Sequence, residues 1–398
     1  MPTTQPRIED LFAARAREAV PPLYGAAGQR TTPMISLAYG LADPALFPRD
    51  QLSAAAATLL GDHPAAAEAL NYGMTFPGLT QQVCERLRRQ AVEAEPEQIL
   101  IGYGSSQILA LLPQVFLDPG DTVIIEGPSF MGAVKRFQMA GAHLVTVPVD
   151  AEGMNTDALA DTLRDLAATG KRPKFIYTIP TFHNPTGATM PLARRKRLIE
   201  LAAEYGVLVV EDDAYGDLRF QGDEIPPLAA LDSDGWVLRV STFSKILAPG
   251  LRIGWAYGRR EIIDRLAMFK SEGTTGPFIT RVVALYSAEG RLDNHIDALC
   301  DLYRSKCQVM VDAIKRELPD VQFTAPDGGF FVWATLPQGM RATELLERAQ
   351  ERGMSFLPGV NCYPDERGNE CIRLAFSFQS AEKIEEAIGI LGNAMRSI

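Results

Sequence analysis

The chain has 398 residues, 46% hydrophobic and 22% charged, which suits two or three packed lobes and excludes a disordered, collagen-like or disulfide-scaffold protein. With 39 Lys and Arg against 49 Asp and Glu, the net charge of −10 repels nucleic acid and anionic lipid, so any anionic ligand must be held by local donors. No run approaches the roughly 20 apolar residues of a membrane span, the five cysteines form no Cys-x-x-Cys and the four histidines no His-Glu-x-x-His, so neither a disulfide framework nor a metal site is expected.

The chain starts with Arg7, Glu9, Asp10, Arg15, Arg17 and Glu18 among short apolar stretches. That mixture matches neither a secretory signal nor an acid-poor transit peptide, and the cytoplasm is the expected location. The first 40 or so residues have no core of their own and are expected to pack on a second lobe or on a partner subunit. Between about residues 95 and 260, short β-branched runs at 98–101, 122–125, 143–147, 175–179, 207–210, 237–240 and 254–257 alternate with helical stretches. Continuous apolar strands separated by amphipathic segments imply a sheet buried on both faces, hence a large α/β domain with a mainly parallel seven-stranded sheet. The Lys/Arg-dense stretch 194–197 opens one of the helices and reads as a solvated helix face. Past Thr280, long helical stretches over 280–318 are followed by short strands near Phe323, 330–334 and 372–376, which predicts a smaller α+β domain. The large domain is expected over 45–285 and the small one over 1–44 with 286–398, joined by a continuous helix.

Several strings carry chemistry. Gly104-Ser105-Ser106-Gln107 follows the first strand and opens a helix. Backbone N–H groups and hydroxyls there, helped by the helix dipole, make an anion site, although a serine before a helix is also an ordinary N-cap. In Glu126-Gly127-Pro128-Ser129-Phe130 the aromatic ring is set either to stack on a planar ligand or to fill the core. Asn184-Pro185-Thr186-Gly187 by itself reads as a turn. The buried strand from Val207 ends in Glu211-Asp212-Asp213-Ala214-Tyr215, where a carboxylate can pair with a cationic group of a ligand or stand as a solvated strand-end acid.

The most specific string is Ser241-Thr242-Phe243-Ser244-Lys245, followed by Ala248-Pro249-Gly250-Leu251-Arg252. Open α/β sheets bind ligands beyond the carboxyl ends of their strands, which puts Lys245 at a ligand. A lysine amine of depressed pKa forms a Schiff base with an aldehyde, and Ser244 with Arg252 can share one phosphate. Arg373 lies in an apolar strand pattern where an unpaired guanidinium is costly, so it requires a carboxylate partner, either internal or brought by a substrate.

In their order, these strings resemble the motifs of the class I/II aminotransferases, pyridoxal-phosphate enzymes of fold type I. The resemblance runs from about Leu37 to Phe378 and is nearest the 2-aminoadipate, kynurenine and branched-chain or aromatic aminotransferase group. It implies pyridoxal 5'-phosphate as cofactor, joined to Lys245, with Ser105, Ser106, Ser244 and Arg252 at its phosphate. Ser106 stands where many members have Gln. The resemblance further implies Phe130 over the pyridine ring, Asp212 at its nitrogen, Asn184 and Tyr215 at its 3-oxygen, and a structural place for Asp213. It implies that Arg373 and Asn184 hold the substrate α-carboxylate and that Gly40, in Ala38-Tyr39-Gly40-Leu41, turns its backbone toward the substrate. Tyr72, in Asn71-Tyr72-Gly73, matches a tyrosine that reaches the neighbouring subunit's phosphate, which implies a homodimer with shared sites.

The implied reaction moves an amino group from an L-amino acid to a 2-oxo acid, 2-oxoglutarate foremost, in two half-reactions with the freed Lys245 carrying the proton. The alternative is another reaction on the same cofactor, as in a β-lyase, decarboxylase or oxidase. A cofactor-sensing regulator is a remote one, since such proteins carry a winged-helix domain ahead of these motifs and here the match starts near Leu37. Arg17 and Arg30 lie in the segment that folds over substrate in the resembling enzymes. They read either as recognising a side-chain carboxylate or as surface arginines.

Overall fold

The computed structural model describes residues 8–13, 34–73, 75–271 and 273–397; Arg17 and Arg30 lie outside the described residues. In chain order the strands are β1 (Ile35–Ser36), β2 (Ile99–Gly102), β3 (Thr122–Gly127), β4 (His143–Asp150), β5 (Gly153–Met154), β6 (Phe175–Thr178), β7 (Leu208–Asp213), β8 (Val237–Thr242), β9 (Gly254–Tyr257), β10 (Gln322–Phe323), β11 (Phe331–Thr335), β12 (Met354–Ser355), β13 (Leu357–Pro358) and β14 (Cys371–Ala375).

The main sheet has the order β2-β9-β8-β7-β6-β3-β4-β5. All seven expected runs are in it. It has eight strands rather than seven, because Gly153, at φ 83, lets the chain fold back so that Met154 pairs with Val149 and forms a short antiparallel edge. β3, β4, β6, β7 and β8 are mutually parallel, and β9 runs against both its neighbours. The ends of β2, β3, β6, β7 and β8 therefore open on one edge, the edge where a parallel α/β sheet receives its ligand. Alternate side chains pack into different layers: Val123, Ile125, Tyr177, Val210 and Val240 on one face, Ile124, Ile176 and Val209 on the other.

The second core continues without interruption into a four-stranded antiparallel sheet, β10-β11-β14-β13, through Phe330, Phe331 and Ile372. The N-terminal segment joins this second sheet's lobe as far as it is described: β1 pairs with β12, and the Ala375 N–H donates to the Leu37 carbonyl at 2.8 Å. Lys306, almost wholly buried in the helix Arg291–Glu317, clamps the same segment by pairing with Asp43 at 2.6 Å and donating to the Ser377 carbonyl at 3.1 Å.

Two expectations are corrected. The helix over 280–318 is broken: Pro277–Ser287 ends, and Glu289 (φ 58) and Gly290 (φ 74) turn the chain before Arg291–Glu317 starts. The 194–197 stretch is not simply a solvated face, because Arg195 is fully buried. Its guanidinium is tolerated there since it donates to the carbonyls of Met190 (2.8 Å), Pro226 (3.1 Å) and Pro180 (3.0 Å) and to Thr181 Oγ1 (2.8 Å). It thereby ties down the chain leading from β6 to Asn184. No helix among the described residues is long and apolar enough to cross a membrane.

Candidate active site

Lys245 follows β8 at the open edge of the sheet, where its Nζ donates to the Gly40 carbonyl at 2.8 Å. The amine lies 5.5 Å from the centre of the Phe330 ring and 5.8 Å from that of Tyr215. Burial, then the positive charges of Arg373 and Arg252, lower its pKa to about 8, against the opposing pull of Asp212. Gly40 is small for a reason: a Cβ there would overlap the Phe331 ring, so only glycine lets this carbonyl come so near the lysine.

Asp212 lies within β7 beside Asp213 and is 4% exposed. The Tyr177 hydroxyl donates to its Oδ2 at 2.6 Å, while Oδ1 is buried without a hydrogen-bond partner among the described residues. Burial raises the Asp212 pKa to about 7, partly offset by the Tyr177 hydrogen bond. Asp213 faces elsewhere, paired with buried Arg239 and accepting from the Gly216 N–H at 3.0 Å.

A set of donors converges some residues away. Gly104, at φ 75, caps the helix Ser105–Phe116, whose first N–H groups are left for an anion. Arg252 reaches Ser244 Oγ at 3.4 Å with Nη1 and the Tyr103 carbonyl at 3.4 Å with Nη2. Ser244 is fixed in turn by Thr242, whose Oγ1 is 2.9 Å from its hydroxyl and accepts from its N–H at 3.1 Å. Arg252 itself sits in the left-handed region (φ 53), a conformation that costs a non-glycine residue about 1 kcal/mol or more. Gly254 permits the convergence, since a Cβ there would run into the backbone of Gly104 and Ser105.

On the other side of Lys245, Arg373 of β14 is 7% exposed and stacks over Phe331 at 4.3 Å. Its Nη1 donates to Asn184 Oδ1 at 2.7 Å and its Nη2 to the Ala38 carbonyl at 2.5 Å. Its Nε is buried without a partner, and among the described residues no carboxylate pairs with it. Among the described residues an internal Asp or Glu is therefore not its partner.

The model of the aminotransferase class I and II family matches residues 32–391. The chain belongs to the class I and II aminotransferases. It is 38% identical over 372 residues to aromatic-amino-acid aminotransferase 1 of Thermococcus litoralis, covering 92% of this chain and 89% of that one. To the 2-aminoadipate transaminase of Thermus thermophilus it is 36% identical over 372 residues, covering 92% and 91%. The crystal structure of Pyrococcus horikoshii kynurenine aminotransferase, in complex with PMP, matches it with a TM-score of 0.92 at 36% identity, covering 98% of both chains. The chain is thus a fold type I aminotransferase, and its cofactor is pyridoxal phosphate. The residues at hand suit that group: a buried carboxylate oxygen without a partner among the described residues, an amine of lowered pKa, and the neighbouring donors Ser244 and Arg252, whose chemistry suits a phosphate.

Of the residues read from the sequence, the aminotransferase gathers Gly40, Ser105, Asn184, Asp212, Tyr215, Ser244, Lys245, Arg252 and Arg373 along one edge of the sheet. Ser106 is in the first turn of its helix, and Phe130, half-buried, starts the helix Met131–Met139. Tyr72 is apart from them, fully exposed in the loop before the helix Pro77–Arg89. Two buried features were missed. One is Tyr177 on Asp212. The other is His183, next to Asn184, whose Nε2 is 3.0 Å from Glu126 Oε2, an oxygen that also accepts from the Ile179 N–H at 2.8 Å. The signal for Tyr177 was alternation: its partner in register is Val210, which shares a face of β7 with Asp212.

Proposed function

We propose that Lys245 is the lysine that carries the cofactor, and that the enzyme moves the amino group of an L-amino acid to 2-oxoglutarate with Arg373 as the clamp for the α-carboxylate. The observation that carries this reading is the buried guanidinium without a carboxylate partner, set beside an amine of lowered pKa. When bound, pyridoxal phosphate supplies the electron sink for the bond broken at the substrate Cα. Asp212 Oδ1 is the group for its pyridine nitrogen, and Ser105, Ser106, Ser244 and Arg252 are those for its phosphate. Phe130 would cover the ring, while Asn184 and Tyr215 would hold its 3-oxygen.

Arg373 takes a carboxylate in two parallel hydrogen bonds, which fixes the orientation of the Cα–H bond. Asn184, already bonded to Arg373, keeps that fork in place. With a pKa of about 8, Lys245 has about a tenth of its amine neutral at pH 7. A neutral amine beside the substrate would take the proton at Cα and, as the resulting ammonium, give it back to complete the transfer, with Nζ held by its hydrogen bond to the Gly40 carbonyl.

We further propose a homodimer in which Tyr72 reaches the partner's phosphate site, supported by its full exposure within one protomer. The cytoplasmic location belongs to the same proposal, and five free, buried cysteines suit a reducing compartment. So does the division into 45–285 and 1–44 with 286–398, which the helix break at Ala288–Gly290 supports. The amino donors are proposed to be aromatic or acidic, as the relatives' names indicate. A panel of donors with 2-oxoglutarate, pyruvate and phenylpyruvate as acceptors tests this reading. It expects 2-oxo-acid-dependent transfer with 2-oxoglutarate preferred; indifference to 2-oxoglutarate removes that acceptor, and ammonia, carbon dioxide or peroxide released without any acceptor replaces transfer with elimination, decarboxylation or oxidation.

A further inference from the structure

We infer that Tyr177 is a positioning residue for Asp212: its hydroxyl occupies Oδ2 and so turns Oδ1 toward the cofactor's pyridine nitrogen. The inference rests on the proposed role of Asp212 and concerns a residue on a neighbouring strand. Tyr177 on β6 is fully buried, and its hydroxyl is 2.6 Å from Asp212 Oδ2. The ring is wedged edge-on against Phe137 at 5.6 Å, and Phe137 is wedged against Phe175 at 5.1 Å, so the hydroxyl has a fixed aim. The opposite oxygen, Oδ1, is the one left without a partner. A carboxylate held by one oxygen presents the other in a single direction, which a free side chain would not.

The electrostatics agree. Burial, and after it the charge of Asp212, push the Tyr177 phenol well above its ordinary range, so it stays a donor wherever the enzyme works. In return its hydrogen bond favours the ionised carboxylate against burial. The other titratable groups acting on Asp212 are Glu126 on β3 and Asp213, its neighbour along β7, which disfavour its charge, and Lys245 beyond β8, which favours it. Tyr177 is thus the hydrogen-bond donor that favours the charged form of Asp212 and aligns it before the cofactor arrives. Phenylalanine has nearly the same volume and leaves Oδ2 buried without this donor.

The test is a double-mutant cycle on cofactor-free protein titrated with pyridoxal phosphate between pH 6 and 9, using wild type, Tyr177→Phe, Asp212→Asn and the double variant. Tyr177→Phe is expected to bind about tenfold more weakly at pH 7, with the acidic loss of affinity starting at higher pH than in wild type. In the Asp212→Asn background the same substitution is expected to change nothing, because the group it acts through is gone. Binding by Tyr177→Phe equal to wild type overturns the inference, as does an equal loss in both backgrounds, which marks a packing residue. Unchanged binding by Asp212→Asn is a different failure, since it removes the role of Asp212 itself. On the loaded enzyme, the pH midpoint of the visible band is expected to move upward in Tyr177→Phe; an unmoved midpoint also counts against the inference.

Discussion

Replacing Arg373 by Gln removes a buried cation that pairs with no carboxylate among the described residues. A hydrogen bond to a charged group contributes about 1.5–3 kcal/mol, so losing two to a substrate carboxylate costs about 3–6 kcal/mol, or about 10²- to 10⁴-fold in kcat/KM. Asn184 stays in place to offer an amide, so the lower half of that range, about 10²- to 10³-fold, is expected. Arg373→Lys keeps the charge without the fork and should recover only part of the loss. The substitution has a second consequence. Arg373 is, after burial, the largest influence lowering the Lys245 pKa, so Arg373→Gln should raise that pKa and move the pH dependence of Lys245 reactivity upward. Steady-state kinetics with one amino acid and one 2-oxo acid, together with the pH dependence of cofactor capture, measure both effects. A kcat/KM within threefold of wild type, with cofactor bound normally, would falsify the assignment of Arg373 as the carboxylate clamp.

Other expectations follow from the same geometry. With a pKa of about 8, Lys245 in cofactor-free protein should capture pyridoxal phosphate at a rate that climbs with pH and levels off above pH 8, because only the neutral amine attacks; a rate still climbing through pH 10 describes an ordinary lysine. If the proposed homodimer shares its sites, Tyr72→Phe should lower cofactor affinity several-fold without changing the melting temperature, since Tyr72 is fully exposed within one protomer; wild-type affinity would remove Tyr72 from the site. Gly254→Ala should displace the turn at Gly104 and Ser105, costing about 1–3 kcal/mol as overpacking does and weakening cofactor binding. Thermal unfolding and cofactor titration read both effects, and an unaffected variant would show that the close approach is not needed.

The large sheet was legible because its strands are buried on both faces and so appear as unbroken apolar runs, and Lys245 because its whole neighbourhood is a local string. What escaped depends on tertiary register. The approach of Tyr177 to Asp212 is decided by how β6 is aligned with β7, which neither segment encodes alone. Arg195 looked solvated because helix periodicity cannot tell that four acceptors wait on one side of it. The expected continuous helix ignored a Gly at 290, which stops a helix where it adopts a left-handed turn. The carboxylate partner of Arg373 stayed open in the sequence, and only the folded chain excludes an internal one among the described residues.

The most direct test of the assigned site is to load the protein with pyridoxal phosphate, reduce it with borohydride and map the modified peptide by mass spectrometry. Lys245 in the segment Ser241-Thr242-Phe243-Ser244-Lys245 is expected to carry the phosphopyridoxyl group, and Lys245→Ala to lose the visible band and amino-group transfer together. Label on a different lysine, or a Lys245→Ala variant that still transfers amino groups at the wild-type rate, would contradict it.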